Sequence, residues 1–348
     1  MGSMRICFVV SGNIPILPEG QRGWGAVEKL MDEYRKCLQS FGHQVDIKYL
    51  NDVRKEDYDI VHIHVANLCI EAVNRGLPYI YSTHDHSSFH AGKHSFNFRQ
   101  QLEAIKGSIL SFTHAEYVVD YFDETDKLFF LIHGVNTNYF KPSEAKPESH
   151  KLLMIANNGL MGDSGFDRKG FRYGIEAAKR LNLPITVAGA DGTREFFQIH
   201  TDLLQYDKLT LIDNNPTEAE ILRLYQSHSI FVHASMLEYG EPCLTLLEAA
   251  SCALPMVTTY KGTKHIEGLF KVDKPTTEAV LDGIILAMED YDKTRERMLA
   301  VRDTYDWSGV CKTLEKFYEF VIKIKQEYSE DLTRSLYIQA YNETIKRC

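Results

Sequence analysis

Three glutamates surround the point where a strand is predicted to pass into a helix. Ile230–Ala234 is a short, β-rich apolar run, and residues 243–253 are rich in Leu and Ala without Gly or Pro. These patterns predict a buried strand followed by a helix. The loop between them contains Glu238 and Glu241, and the helix contains Glu248. Such a loop follows the carboxyl end of a strand, where doubly wound sheets bind ligands.

The amino end of this helix has the chemistry of an anion site. The first amides, near Cys243, Leu244 and Thr245, have no partner within the helix, and the helix dipole favours negative charge there. Glu248 lies one turn further along, where its carboxylate could accept hydrogen bonds from vicinal hydroxyls. A phosphate at the helix tip with a diol beside it describes a nucleotide. A loop acid could hold a further hydroxylated group, so the pattern predicts a sugar-nucleotide site.

Positive charge recurs beside a glycine earlier in the same half of the chain. Lys169 precedes Gly170 at the start of a predicted helix, with Arg168 before it and Arg172 after it. Lys169 could act as a point charge on a pyrophosphate, and Arg168 or Arg172 could form a bidentate contact. The alternative interpretation is a solvated charged turn.

Two further stretches could contact a ligand. Gly23 and Gly25 precede a predicted amphipathic helix, where small residues let amides approach a phosphate, although a simple tight turn is the alternative. His84 and His86 flank an acid after the predicted strand Pro78–Thr83. This cluster invites a metal interpretation, but no third ligand at a recognisable spacing accompanies it. We therefore expect no metal site.

Residues 241–257 resemble the donor-site signature of the retaining glycosyltransferases of family 4, also called glycosyl transferases group 1. That signature has two glutamates separated by seven residues, then Ala-Met-Ala-x-Gly-x-Pro-Val. Here six residues separate Glu241 from Glu248, Cys243 replaces the usual Phe-Gly pair, and Ala253 replaces the usual Gly. Glu248 matches the second glutamate, and the first is either Glu241 or Glu238.

Other segments carry the same resemblance. Gly25-Ala26-Val27-Glu28 is similar to the family's Gly-Gly-x-Glu loop, and Lys169-Gly170 matches its Lys-Gly pair. Residues 133–142 resemble the Asn-Gly-Val-Asp-x-x-x-Phe-x-Pro stretch that closes the first domain.

The resemblance implies a fold class and a domain organisation. We expect an α/β protein with two Rossmann-like doubly wound domains facing each other across a cleft, the GT-B architecture. The implied parts are an N-terminal acceptor-side domain at residues 4–142, a linker at 143–150, a C-terminal nucleotide-sugar-binding domain at 151–325, and a helix at 326–348 that crosses back onto the first domain.

The implied function is retaining transfer of a hexosyl or pentosyl group from a nucleotide diphosphate sugar to a hydroxyl acceptor. Lys169, an arginine such as Arg168, and the helix amides would stabilise the leaving diphosphate. Glu241 or Glu238 would orient the sugar, Glu248 would hold the ribose, and His84 would contact the transferred sugar. No metal or other cofactor is expected. The alternatives are a sugar-nucleotide epimerase or phosphorylase of the same architecture, and a non-catalytic module that binds nucleotide sugars.

The amino-acid composition limits the binding partners and the cellular location that we expect. The 348 residues, 44% of them apolar and 25% charged, suffice for two globular domains. A net charge of −9 disfavours nucleic acid and anionic membranes, although a modified nucleic-acid base stays open as an acceptor beside a glycan, a lipid or another hydroxyl compound. The chain contains no apolar run of about 18 residues. Seven cysteines without Cys-x-x-Cys and the absence of a signal peptide predict a cytoplasmic protein.

Overall fold

The chain folds into two compact units, each built on a parallel sheet. The first unit contains residues 2–11, 26–132 and 308–327, and the second contains residues 133–307. The computed structural model describes residues 2–11, 26–84, 92–123, 125–144, 149–157, 167–236, 238, 242–259 and 266–327.

Six strands form the centre of the first unit. They are β1 (Arg5–Val10), β2 (Gln44–Tyr49), β3 (Ile60–Ile63), β4 (Ile80–Thr83), β5 (Ser111–Thr113) and β6 (Leu128–Phe130). Their order in the sheet is β2-β1-β3-β4-β5-β6, and every pairing is parallel. The described helices of this unit are α1 (Ala26–Ser40), α2 (Ala66–Asn74), α3 (Phe96–Gly107), α4 (Glu116–Tyr121) and the helix that begins at Trp307.

The inner strands of the first sheet are buried along their whole length. All residues of β3, β4 and β5 are buried, as expected for parallel strands covered on both faces. Helix α3 begins where the Ser95 side chain accepts a hydrogen bond from the Phe98 amide, at 3.1 Å. The carboxyl ends of these strands therefore belong to the buried part of the sheet.

The second unit has its own six-stranded parallel sheet. Its strands are β7 (Leu152–Ile155), β8 (Ile185–Ala188), β9 (Leu209–Ile212), β10 (Ile230–His233), β11 (Met256–Thr258) and β12 (Leu269–Lys271). Its helices are α5 (Phe171–Leu181), α6 (Asp191–Ile199), α7 (Glu218–Ser227), α8 (Leu244–Ser251), α9 (Thr277–Glu289) and α10 (Tyr291–Val301), and α11 (Trp307–Glu327) follows them into the first unit.

The strand order of the second sheet creates a switch point. The order is β12-β11-β10-β7-β8-β9, so the chain starts in the middle, runs to one edge, and then returns to fill the other half. The reversal lies between β7 and β10, and ligands bind outside the carboxyl ends of the strands at such a point. The prediction of two doubly wound α/β domains is confirmed.

Capping explains where one helix of the second unit starts. The Thr217 side chain accepts from the Glu220 amide, and the Glu220 carboxylate accepts from the Thr217 amide at 2.7 Å. This reciprocal capping box fixes the start of α7.

The observed unit boundaries differ from those expected at residues 142 and 325. Residues 133–142 belong to the second unit, because Phe140 is buried in its core and Val135 pairs with Asp306. Residues 308–325 belong to the first unit, because Tyr318 is buried there against His62. The expected linker at 143–150 includes residues 145–148, and the expected crossing helix includes residues 328–348; both stretches lie outside the described residues.

Candidate functional site

Lys169 and Glu238 meet at the switch point of the second sheet. Lys169 follows β7 along the chain and Glu238 follows β10, the strand beside it in the sheet. The ammonium donates to the Glu238 carboxylate in a close ion pair, with the two side chains 12% and 11% exposed. The structure thus brings together one cation and one acid that are far apart in sequence.

His233 completes this charged cluster. Its Nε2 lies 3.3 Å from the Glu238 carboxylate, and its Nδ1 lies 3.1 Å from the Thr258 hydroxyl. Burial would raise the pKa of Glu238, but the Lys169 charge and the His233 contact outweigh it and hold that pKa well below its ordinary range. Glu238 is therefore a carboxylate throughout the physiological range, able only to accept hydrogen bonds.

A glycine allows the Lys169 loop to approach the end of β10. Gly170 has a φ of +68°, and a Cβ at this position would lie 2.1 Å from the Ala234 carbonyl oxygen. The Arg168 carbonyl accepts from the Met236 amide at 2.9 Å and from the Ser235 hydroxyl at 3.2 Å. These hydrogen bonds join the loop that contains Lys169 to the loop that follows β10, and they hold Lys169 beside Glu238.

Helix α8 begins beside this cluster. Cys243 is its N-cap residue, and the Leu246 and Leu247 amides are the first to bond back to the Cys243 carbonyl, at 3.0 and 3.1 Å. The amides of Cys243, Leu244 and Thr245 therefore precede these bonds, at the amino end of the helix. Cys243 is buried, whereas Leu244 and Thr245 are half-buried.

The same cluster contains a group of possible metal ligands. One ligand atom each of His233, Glu238 and Cys243 lies within 4.8 Å of the others. The Lys169 ammonium pairs with the carboxylate of Glu238, one of these three groups.

Glu248 lies one turn inside α8 and is only 1% exposed. The Tyr225 hydroxyl donates to one of its carboxylate oxygens at 3.0 Å and lies 3.1 Å from the Thr245 carbonyl. Tyr225 therefore connects α7 to α8 and sets the orientation of this carboxylate.

At the amino end of α5, backbone amides of the helix donate hydrogen bonds to the side chain of Asp167. The Asp167 carboxylate accepts from the Phe171 amide at 3.0 Å and from the Arg172 amide at 2.8 Å. These amides are consequently used by the protein itself, and the Lys169 side chain is the part of this turn that faces Glu238.

The two arginines of this turn are placed differently. Arg172 forms two hydrogen bonds with the exposed Asp202 carboxylate, at 2.7 and 3.2 Å. Arg168 is half-buried, and its guanidinium lies 3.5 Å from the Asn157 carbonyl. Arg172 is engaged in a surface ion pair, whereas the backbone of Arg168 contacts the loop that follows β10.

His84 follows β4 in the first unit. Its Nε2 lies 2.9 Å from Nδ1 of His64, which follows β3. Glu241, Gly23 and Gly25, the other predicted site residues, lie outside the described residues.

Three residues around these groups were not singled out from the sequence as site residues: His233, Tyr225 and His64. His233 lies near the carboxyl end of the predicted strand Ile230–Ala234, and His64 follows β3, so a position at the end of a strand was the available signal. Tyr225 lies in a helix, and nothing in its local pattern indicates that it contacts Glu248.

Comparison with protein families gives one match in this region. Residues 160–300 match the family model "Glycosyl transferases group 1". The matched range contains Lys169, Glu238 and the whole of α8. The family resemblance is therefore carried by the unit that holds the charged cluster.

Two curated relatives are similar to longer stretches. A phosphatidylinositol N-acetylglucosaminyltransferase subunit of Arabidopsis thaliana is 25% identical over 297 residues, which cover 78% of this chain and 64% of that protein. A probable sucrose-phosphate synthase of Thermosipho melanesiensis is 23% identical over 235 residues, covering 63% of this chain and 53% of that protein. The chain thus spans less than two thirds of the length of either relative.

Solved structures share the fold over most of the chain. The sucrose-phosphate synthase of Thermosynechococcus elongatus aligns with a TM-score of 0.72 and 13% identity, covering 92% of this chain and 99% of that one. HepE of Anabaena, in complex with UDP and glucose, aligns with a TM-score of 0.68 and 14% identity, covering 91% and 99%. At these identities the likeness shows the fold alone.

Together the comparisons show a GT-B fold, with similarity to the glycosyl transferases group 1 over residues 160–300. Within the part of the chain that is described, no helix combines the length and the apolar character needed to cross a bilayer.

Proposed function

We propose that this chain transfers a hexosyl or pentosyl group from a nucleotide diphosphate sugar to a hydroxyl acceptor, with retention of the anomeric configuration and without a metal ion. The observation that carries the proposal is the meeting of Lys169, Glu238 and the start of α8 at the switch point of the second sheet. A cation and the amides at the amino end of a helix are groups that stabilise a departing diphosphate.

Each group then has a role. Lys169 and the amides of Cys243, Leu244 and Thr245 bind the diphosphate, with Arg168 as a second cation. Glu248, oriented by Tyr225, accepts hydrogen bonds from the ribose hydroxyls.

Glu238 has a double role in this proposal. In the structure it neutralises Lys169, and an arriving diphosphate, with its greater charge, competes for the same ammonium. The carboxylate then accepts hydrogen bonds from the hydroxyls of the donor sugar. Glu241 stays the alternative for this role, and His84 is assigned to the transferred sugar by the resemblance.

No protein nucleophile is needed. The resemblance implies a front-side reaction in which the leaving phosphate helps to deprotonate the acceptor hydroxyl. Lys169 and the helix amides lower the barrier by stabilising the charge that grows on the diphosphate. We propose a glycan, a lipid or another hydroxyl compound as acceptor, and the cytoplasm as the location.

A thermal-shift screen against nucleotide sugars identifies the donor, because a ligand that binds the folded state raises its stability. Transfer from that donor is then followed by NMR of the anomeric proton. Retention supports the proposal, and an inverted product contradicts the retaining mechanism.

Replacing the lysine tests the site itself. Lys169→Ala should lower kcat about 10²–10³-fold, because one charge-stabilising donor is lost. Lys179→Ala, exposed near the end of α5, is the matched control and should transfer at the wild-type rate. Wild-type rates in Lys169→Ala would remove this residue from the site.

An assay of the reaction products, with and without an acceptor, separates the transferase from the alternative functions. Slow release of nucleoside diphosphate without acceptor supports a transferase. Interconversion of the sugar supports an epimerase, and binding without turnover supports a non-catalytic module.

A further inference from the structure

Three histidines form a row at one edge of the first sheet. His64 follows β3, His84 follows β4 and His114 follows β5, and these strands are neighbours. The rings stack in this order, with centroids separated by 5.2 Å and 5.1 Å. The carboxyl edge of such a sheet is where ligands bind, so the protonation of this row decides what it can recognise.

His64 and His84 are joined nitrogen to nitrogen. His64 Nδ1 and His84 Nε2 are 2.9 Å apart, a distance that requires a single proton between them. His64 is 3% exposed. Burial, and secondly the nearby His62, lower the pKa of His64 well below its ordinary value, so its ring is neutral and carries one proton.

The surroundings of His64 decide where that proton lies. Its other nitrogen, Nε2, is buried without a hydrogen-bond partner among the described residues. If His84 donated to His64, the proton of His64 would sit on this buried Nε2. Buried N–H groups that lack a partner are rarer in proteins than buried acceptors that lack one. His64 Nδ1 is therefore the donor, and His84 Nε2 is the acceptor.

We infer that His64 is a positioning residue that holds His84 as the tautomer protonated on Nδ1. This inference concerns the first unit alone, and its functional meaning rests on the proposed contact between His84 and the transferred sugar. In this tautomer the Nδ1 of His84 is a hydrogen-bond donor, so a sugar oxygen that contacts it must accept the bond. It does not accept a hydrogen bond from the sugar.

The arrangement also resists a second proton on His84. A proton on His84 Nε2 would force the proton of His64 onto its buried Nε2. Among the residues that the structure describes, His62 and His114 are titratable groups that lie beside the pair. His62 is held by the Tyr318 hydroxyl and by Ser82, each at 2.8 Å, and His114 Nδ1 donates to the Leu131 carbonyl at 2.8 Å. We therefore expect His84 to stay neutral as the pH falls through the range where an ordinary histidine titrates, near about pH 6.5.

Nitrogen NMR of the protein labelled with ¹⁵N-histidine tests the tautomer without any substrate. The His84 signals are assigned by their loss in His84→Gln. We expect the wild-type proton on Nδ1, and we expect it to move to Nε2 in His64→Leu, which removes the donor. His64→Asn can donate from an amide near the position of Nδ1 and should keep the wild-type tautomer. His114→Phe preserves a stacked ring and should leave the tautomer unchanged.

A wild-type proton on Nε2, or an unchanged tautomer in His64→Leu, would overturn the inference. Unfolding curves establish that the variants are folded. If His64→Leu does not fold, the tautomer of His84 in His64→Asn is the deciding measurement, and a proton on Nε2 there would also overturn the inference.

Kinetics then connect the tautomer to the proposed function. His64→Leu should lower kcat/KM about 10-fold, as for other residues that orient a functional histidine. Its activity should fall below about pH 6.5, whereas the wild-type profile stays flat there. A changed tautomer with unchanged transfer would refute the role of His84 in the proposed function and leave the positioning by His64 intact.

Discussion

At the scale of single residues, the charged cluster depends on contacts that no local pattern contains. The glutamates and Lys169 were selected by their residue types and by the resemblance. The pairing of Lys169 with Glu238 is tertiary, because it depends on β7 and β10 lying side by side. His233 could be predicted to end a strand, but its contact with Glu238 could not.

The ionisation of Glu238 has a measurable consequence for stability. Its pKa is lower in the folded protein than in the unfolded chain, so its contribution is present above the unfolded value of about 4.3 and is lost as the pH falls through the folded value. Glu238→Gln leaves the Lys169 charge without its acid and should lower the free energy of unfolding by about 3 kcal/mol at about pH 7. Urea unfolding at neutral pH and in increasingly strong acid measures this difference, which should shrink below about pH 4.

The matched control is Glu278→Gln, which breaks the exposed pair with Arg180. It should leave the unfolding curve unchanged, because exposed ion pairs contribute little. An equal loss in both variants would show that burial of the Glu238 pair is not the cause.

At the scale of elements, apolar runs and the residue types at helix ends were sufficient to predict individual strands and helices. The strand predicted from the run Ile230–Ala234 is observed as Ile230–His233, and Thr217 and Glu220 have the residue types and the spacing of a capping box. The ends of the domains were harder to place. Residues 133–142 and 308–325 are held in their units by side-chain contacts with distant residues, such as those of Phe140 and Tyr318.

The close approach of Gly170 to the end of β10 gives a prediction at this scale. Gly170→Ala should lower both the free energy of unfolding and the transfer rate, because the new methyl group would collide with the Ala234 carbonyl. The backbone conformation alone costs about 1–2 kcal/mol. Equilibrium unfolding and the transfer assay measure the two effects.

Gly42→Ala separates the collision from the backbone cost. Gly42 also has a positive φ, +91°, but a Cβ there would meet nothing within 4 Å. This variant should lose stability through the backbone alone and keep its activity. Equal losses in the two variants would argue against the collision.

At the scale of the whole molecule, the proposed chemistry relies on fixed protein charges. His233, Glu238 and Cys243 could be approached by a metal, but Lys169 already pairs with the acid. We therefore expect dialysis against EDTA to leave the transfer rate unchanged. A rate that falls on chelation and returns with Mg²⁺ or Mn²⁺ would contradict the metal-independent mechanism.

The order of strands in the second sheet also bears on how the protein acquires its ability to bind. Lys169 reaches Glu238 only after β7 has paired with β10, a contact between segments distant in sequence. Such non-local parallel pairing forms slowly during folding. Recovery of nucleotide-sugar binding should consequently lag behind recovery of helical signal when the denatured chain is returned to native conditions.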